Sequence, residues 1–269
     1  MAYRLLLLLL VVSLQSKAAI VDTLDTYSNK MKKTIKAVVI RPENPTGAAM
    51  PVLYLLHGYS DNYAGWISKV KDLGKGADLY GMLIVCPDGG FSSWYWDSPI
   101  DPAYQYETYI TEELIPFIDK KFKTMADRKG RAITGLSMGG HGALYLAIRH
   151  QQLFGAAGSM SGGVDIRPFP LNWDMAKRLG AYAEQPERWE KSTVINQLYL
   201  LTPGALALII DCGTSDFFYG VNEELHRQLL YRNIPHDYIS RPGMHEWKYW
   251  GNAIWYQLLF FDRYFHPGY

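Results

Sequence analysis

Cysteine is scarce in this chain of 269 residues: Cys86 and Cys212 are the only two. That excludes a disulfide framework and leaves one bridge at most. Long apolar runs are missing as well. The unbroken stretch from Leu5 to Val12 stops far short of the roughly 20 residues that span a bilayer. There is no surplus of positive charge, since 27 Lys and Arg face 26 Asp and Glu and no basic block stands out. The sequence therefore gives no support to a nucleic-acid or anionic-lipid partner. No Cys/His spacing of a zinc site and no calcium-loop pattern occurs, so neither a metal nor a cofactor is expected. Internal repeats, low-complexity tracts and a splitting linker are absent too. What the chain holds in quantity is aromatic side chains, with 20 Tyr and 8 Trp.

The opening residues, MAYRLLLLLLVVSLQSKAA, combine one basic residue, a short apolar run and small residues near Ala18 and Ala19. This layout predicts a secretory signal over residues 1–19, cleaved after Ala18 or Ala19, rather than a transmembrane anchor. The expected mature chain, 20–269, is a single exported domain without a membrane anchor. Losing Arg4 and Lys17 leaves it with one more acidic than basic residue.

Short runs rich in Val, Ile and Leu predict strands at 36–40, 51–56, 82–86, 132–135, 155–160, 205–210 and 237–240. Helical spacing of apolar residues predicts helices over 108–122, 139–149, 222–231 and 250–265. Strands alternating with helices imply an α/β fold with a mostly parallel sheet covered on both faces. The segment Val164–Leu201 is long for a connection between strands and predicts a helical, lid-like insertion.

One stretch carries chemistry. In Ile133-Thr134-Gly135-Leu136-Ser137-Met138-Gly139-Gly140, a G-x-S-x-G motif lies between a predicted strand and a predicted helix. That context is what gives the motif meaning: a tight turn strains the serine backbone and presents its hydroxyl at the helix N-terminus. A serine needs a base, and in such folds the partners follow in the order serine, acid, histidine. His245, just after the last strand, sits in a loop at the correct sheet edge, whereas His236 stands at the opposite edge. Three carboxylates compete for the acid: Asp216 beyond the turn Gly213-Thr214-Ser215, Asp211 at the strand end, and Asp165. Asp216 can swing to the imidazole, while Asp211 is better placed to orient the loop. The loop Leu56-His57-Gly58-Tyr59 predicts an oxyanion donor in the Tyr59 N–H, beside the N–H of Met138; His57 braces the loop.

The pieces LYLLHGYSDN (53–62), SSWYWDSP (92–99), ETYITEELIPFID (107–119), GLSMGGHGA (135–143), DCGTSDFF (211–218) and GMHEWKYW (243–250) resemble the esterase D-like branch of the α/β hydrolases. That branch includes S-formylglutathione hydrolases, feruloyl and acetylxylan esterases and mycolyltransferases. The resemblance implies the α/β-hydrolase fold, Ser137 as nucleophile, Asp216 as acid, His245 as base, and the N–H groups of Tyr59 and Met138 as oxyanion donors. Export and the loop Trp94-Tyr95-Trp96 point to acyl or feruloyl esters of carbohydrate, small or polymeric, with those three rings expected to meet the substrate. The rivals are an acyltransferase to a sugar hydroxyl and a non-catalytic carbohydrate-binding protein. In this fold Cys86 and Cys212 lie on strands separated by several others, so two free thiols are expected.

Overall fold

The computed structural model describes residues 18–42 and 47–268. Apart from Ala18 and Ala19, the expected signal segment lies outside the described residues. Eight strands form one sheet in the order β1-β2-β4-β3-β5-β6-β7-β8. They are β1 (Ile20–Ser28), β2 (Lys33–Arg41), β3 (Val52–Leu56), β4 (Leu83–Pro87), β5 (Arg131–Gly135), β6 (Ala156–Met160), β7 (Ala207–Gly213) and β8 (Asp237–Arg241). From β4 through β8 every pairing is parallel, and the β1–β2 hairpin runs antiparallel along the β4 edge.

The helices are α1 (Gly65–Lys69), α2 (Leu73–Tyr80), α3 (Tyr106–Thr108), α4 (Ile115–Lys121), α5 (Met138–Arg149), α6 (Met175–Leu179), α7 (Pro186–Ser192), α8 (Tyr219–Tyr231) and α9 (Trp247–Phe265). Alternate strand residues feed two cores. Leu53, Leu55, Ile84 and Ala132 pack with α1, α2 and α9, and Val52, Tyr54, Leu56 and Ile133 pack with α3–α5 and the insertion. Each fully buried aliphatic side chain contributes about 1.5–3 kcal/mol. In α9 the buried residues Trp250, Ala253, Ile254, Gln257, Leu258 and Phe261 recur at the helical period, so one face seals the sheet.

Several elements depart from the sequence expectation. Strand β1 alternates buried and exposed residues without an apolar run, and α1 and α2 are short and glycine-containing. The helix expected at 108–122 is broken by a π-helical turn, Tyr109–Leu114, ahead of Pro116, which has no N–H to give the preceding turn. Strand β7 extends past Asp211 to Gly213, paired with β8 from Ile209 onward. Cys86 on β4 and Cys212 on β7 have β3, β5 and β6 between them, and both thiols are free and buried. Among the described residues no helix is long and apolar enough to cross a membrane.

Candidate active site

Strand β5 ends at Gly135, and two residues later Ser137, immediately before α5, has a backbone conformation that residues with side chains rarely adopt, φ 53° and ψ −117°. Such backbone costs on the order of 1–3 kcal/mol and persists only where the surroundings enforce it. Here the close approach of backbones enforces it. A Cβ at Gly135 would lie 2.6 Å from the Gly139 carbonyl, and one at Gly139 would lie 2.6 Å from the carbonyl oxygens of Leu56 and His57. The Ser137 N–H donates to Met160 O at 2.9 Å, tying the turn to β6.

The loop between β8 and α9 brings His245 to this serine. Its Nε2 lies 2.9 Å from Ser137 Oγ, and its Nδ1 lies 2.8 Å from Asp216 Oδ2. With Nδ1–H donating to the carboxylate, Nε2 is left to accept the serine proton. Asp216 has no exposed side-chain surface, and its other oxygen accepts the Phe218 N–H at 2.8 Å. Both carboxylate oxygens are therefore held. Phe217, Phe218 and Trp250 surround the imidazole, with ring centroids at 4.1, 5.5 and 4.8 Å.

Of the three carboxylates considered, Asp216 is the one that reaches His245. Asp211 is bound by Arg241 and Tyr249, and Asp165 by Arg167. The loop after β3 packs against the turn, and a Cβ at Gly58 would sit 3.5 Å from Ser137 Cβ. Among the described residues no acceptor takes the N–H of Tyr59 or of Met138, the first residue of α5. First-turn helix donors are free to bind an anion. His57 braces this loop: Nε2 accepts the Gly89 N–H at 2.7 Å, and Nδ1 then donates to Gly58 O at 2.8 Å.

The aromatic loop corrects its expectation. Trp94, Tyr95 and Trp96 are 1%, 0% and 1% exposed and do not line the cavity at Ser137. Helix α5 and the insertion cover them. Trp96 Nε1 donates to His141 Nε2 at 3.0 Å, Tyr95 OH donates to His57 O at 3.1 Å, and Trp94 Nε1 donates to Trp173 O at 3.3 Å. Burial pushes His141 down to about 4, so its neutral ring can accept from Trp96. The aromatic residues lining the cavity, of about 430 Å³, are instead Tyr59, Trp173, Phe217, Trp247 and Trp250, with Asp61 beside them. Sequence reasoning expected Tyr59 here only as a backbone donor and missed the other four as a lining, because the rings come from four separate segments. Phe217, Trp247 and Trp250 do lie in the stretches 211–218 and 243–250, whereas Trp173 comes from the insertion and carried no such signal. A larger cavity of about 650 Å³ opens near Met125, Leu206 and Phe265 and contains no serine–histidine pair.

Comparison with known proteins places the chain among esterases. The chain is 37% identical over 128 residues to an esterase of Mycobacterium tuberculosis, a match covering 45% of this chain and 27% of that protein. It thus spans about a quarter of that relative's length. It is 29% identical over 277 aligned positions to a diacylglycerol acyltransferase/mycolyltransferase of Mycobacterium leprae, covering 87% and 81% of the two chains. A solved ferulic acid esterase superposes with a TM-score of 0.80 at 28% identity, covering 92% of this chain and 99% of the other. The fold is that of the α/β hydrolases, as the sequence implied. Residues 28–261 match the Esterase family, described as "Putative esterase", and the chain belongs to that family.

Proposed function

We propose that this chain is a serine carboxylic-ester hydrolase working through an acyl-enzyme on Ser137. The observation that carries the reading is the relay Asp216–His245–Ser137, with both hydrogen bonds at 2.8–2.9 Å. His245 Nε2 takes the Ser137 proton as Oγ attacks the ester carbonyl, and the imidazolium gains support from Asp216. The Tyr59 and Met138 N–H groups receive the oxyanion, each such donor being worth about 3 kcal/mol in the transition state. His245 then gives its proton to the leaving alcohol, and water repeats the sequence on the acyl-enzyme.

The substrate reading is an acyl or feruloyl ester of carbohydrate, outside the cytoplasm after removal of residues 1–19, with 20–269 acting as one domain. Its support is the aromatic lining of Tyr59, Trp173, Phe217 and Trp247, which offers faces to a sugar or phenolic ring, together with the solved ferulic acid esterase. A second reading, acyl transfer to a sugar hydroxyl, is favoured by the mycolyltransferase relative, whose match spans most of both chains. The test is turnover of acetyl, butyryl and feruloyl esters by one preparation, with and without an added sugar acceptor. Free acid as the sole product supports hydrolysis, an acylated sugar supports transfer, and no turnover of any ester overturns both.

A further inference from the structure

Five residues before Asp216, β7 carries a second buried carboxylate that makes no hydrogen bond to Ser137 or His245. Asp211 has no exposed side-chain surface. Its Oδ2 accepts from Arg241 Nη2 at 2.8 Å, and its Oδ1 accepts from the Tyr249 hydroxyl. Arg241 stands four residues before His245 and Tyr249 four residues after it. One carboxylate therefore grips both ends of the segment that carries the base.

We propose that Asp211 is a positioning residue for His245, acting through Arg241 and Tyr249 to fix the segment that aims Nε2 at Ser137. The proposal rests on the esterase reading above. The surrounding contacts leave the segment little freedom except through this grip. Thr214 N–H donates to Arg241 O and Ser215 N–H to Gly243 O, each at 2.9 Å, so the acid-bearing and base-bearing loops are joined directly. The Tyr249 ring is seated against the backbone at Gly243, where a Cβ would lie 2.0 Å from it. The Arg241 guanidinium lies over the rings of Tyr249 and Tyr256, at 4.9 and 4.3 Å. Releasing Asp211 removes the one side chain that ties Arg241 to Tyr249 across the segment, and a shift of about 1 Å at a reacting group can cost roughly 100-fold in rate.

The grip depends on charge. The groups facing Asp211 are Arg241 from β8, Tyr249 from α9 and the neighbouring Cys212 thiol on β7, while Tyr256 faces Arg241. Burial pushes the Asp211 carboxyl up to about 6, against the opposing pull of the Tyr249 hydroxyl and the Arg241 guanidinium. Above that pH the carboxylate holds Arg241. Below it the carboxyl takes up a proton, Arg241 loses its counter-charge, and the segment loosens.

The experiment follows the rate at which a fluorophosphonate labels Ser137, between about pH 5 and 8, in the native chain, Asp211→Asn and Tyr249→Phe. Asp211→Asn is expected to label about 10–100-fold more slowly while remaining folded by circular dichroism. Its acid limb should fall with one proton fewer than the native limb. Tyr249→Phe, which loosens one end only, should slow labelling about threefold to tenfold and keep the steepness of the native acid limb. Native-like labelling by folded Asp211→Asn overturns the proposal. Slow labelling with the native steepness of the acid limb intact also overturns it, because that outcome describes a merely structural residue. If Asp211→Asn does not fold, native-like rates in both Tyr249→Phe and Arg241→Gln overturn it. A native chain that never labels removes the esterase reading itself, and this proposal with it.

Discussion

Two segments leave the same edge of the sheet and hold residues at unusual positive φ angles, yet they do opposite things. The turn from β5 into α5 places Ser137 at φ 53°, and the segment after β4 places Trp94 and Tyr95 at φ 55° and 62°. At the first, glycines let backbones close in below the turn, so the serine hydroxyl meets His245 in the cavity. At the second, α5 and the insertion lie across the segment, and its rings are driven inward. Location at the active edge brings a segment near the chemistry. What packs over it decides which way its side chains point.

That contrast can be broken experimentally, beginning with the turn. Ser137→Ala should lower p-nitrophenyl ester turnover by about four to six orders of magnitude with the fold intact. Near-normal turnover by the folded variant would falsify the assignment. Gly139→Ala should prevent accumulation of folded protein, because its Cβ would collide with the backbone at Leu56 and His57. A soluble variant with a native melting temperature would show that the strands can move apart.

The inward rings predict a different signature. Trp96→Ala should destabilise the fold by about 3–5 kcal/mol in denaturant titrations, with turnover per folded molecule within about threefold of native. A large rise in KM with little loss of stability would return Trp96 to the substrate site. His141, beneath the same rings, should leave a mark on the pH dependence of stability. Burial pushes its pKa down to about 4 in the fold, from 6.5 for an ordinary histidine. The unfolded chain therefore takes the proton first, and stability should fall by roughly 3 kcal/mol in all as pH drops from 6.5 towards 4. Equilibrium unfolding of His141→Gln should show that part of the slope removed. The smallest effect belongs to the rim. Phe217 is 53% exposed, and Phe217→Ala should raise KM for an aromatic acyl ester a few-fold while changing stability by under about 1 kcal/mol.

The same contrast explains how much of the molecule was legible in its residues. The strands β3–β7 announce themselves because both faces of a covered sheet demand apolar side chains, and the G-x-S-x-G turn does so because close backbone contact admits only glycine. The order of serine, acid and histidine then narrowed the partners to a few positions. The outer hairpin strand β1 was not legible, since its alternating residues satisfy a half-covered strand without forming an apolar run. The direction of the Trp94–Trp96 rings was not legible either, because it depends on a helix more than 40 residues away, through the bond from Trp96 to His141. Nor was the cavity wall, whose aromatic residues converge from distant loops.

The two thiols have a practical consequence. Both are buried, and burial pushes both well above the ordinary cysteine value, so neither offers a reactive thiolate to a maleimide in the folded protein. Leu171, by contrast, is 95% exposed on the insertion, two residues from Trp173 at the cavity wall. A Leu171→Cys variant should therefore accept a single fluorophore at one address without removal of the native cysteines. The chain comes ready to carry an optical reporter of whatever enters beneath its insertion.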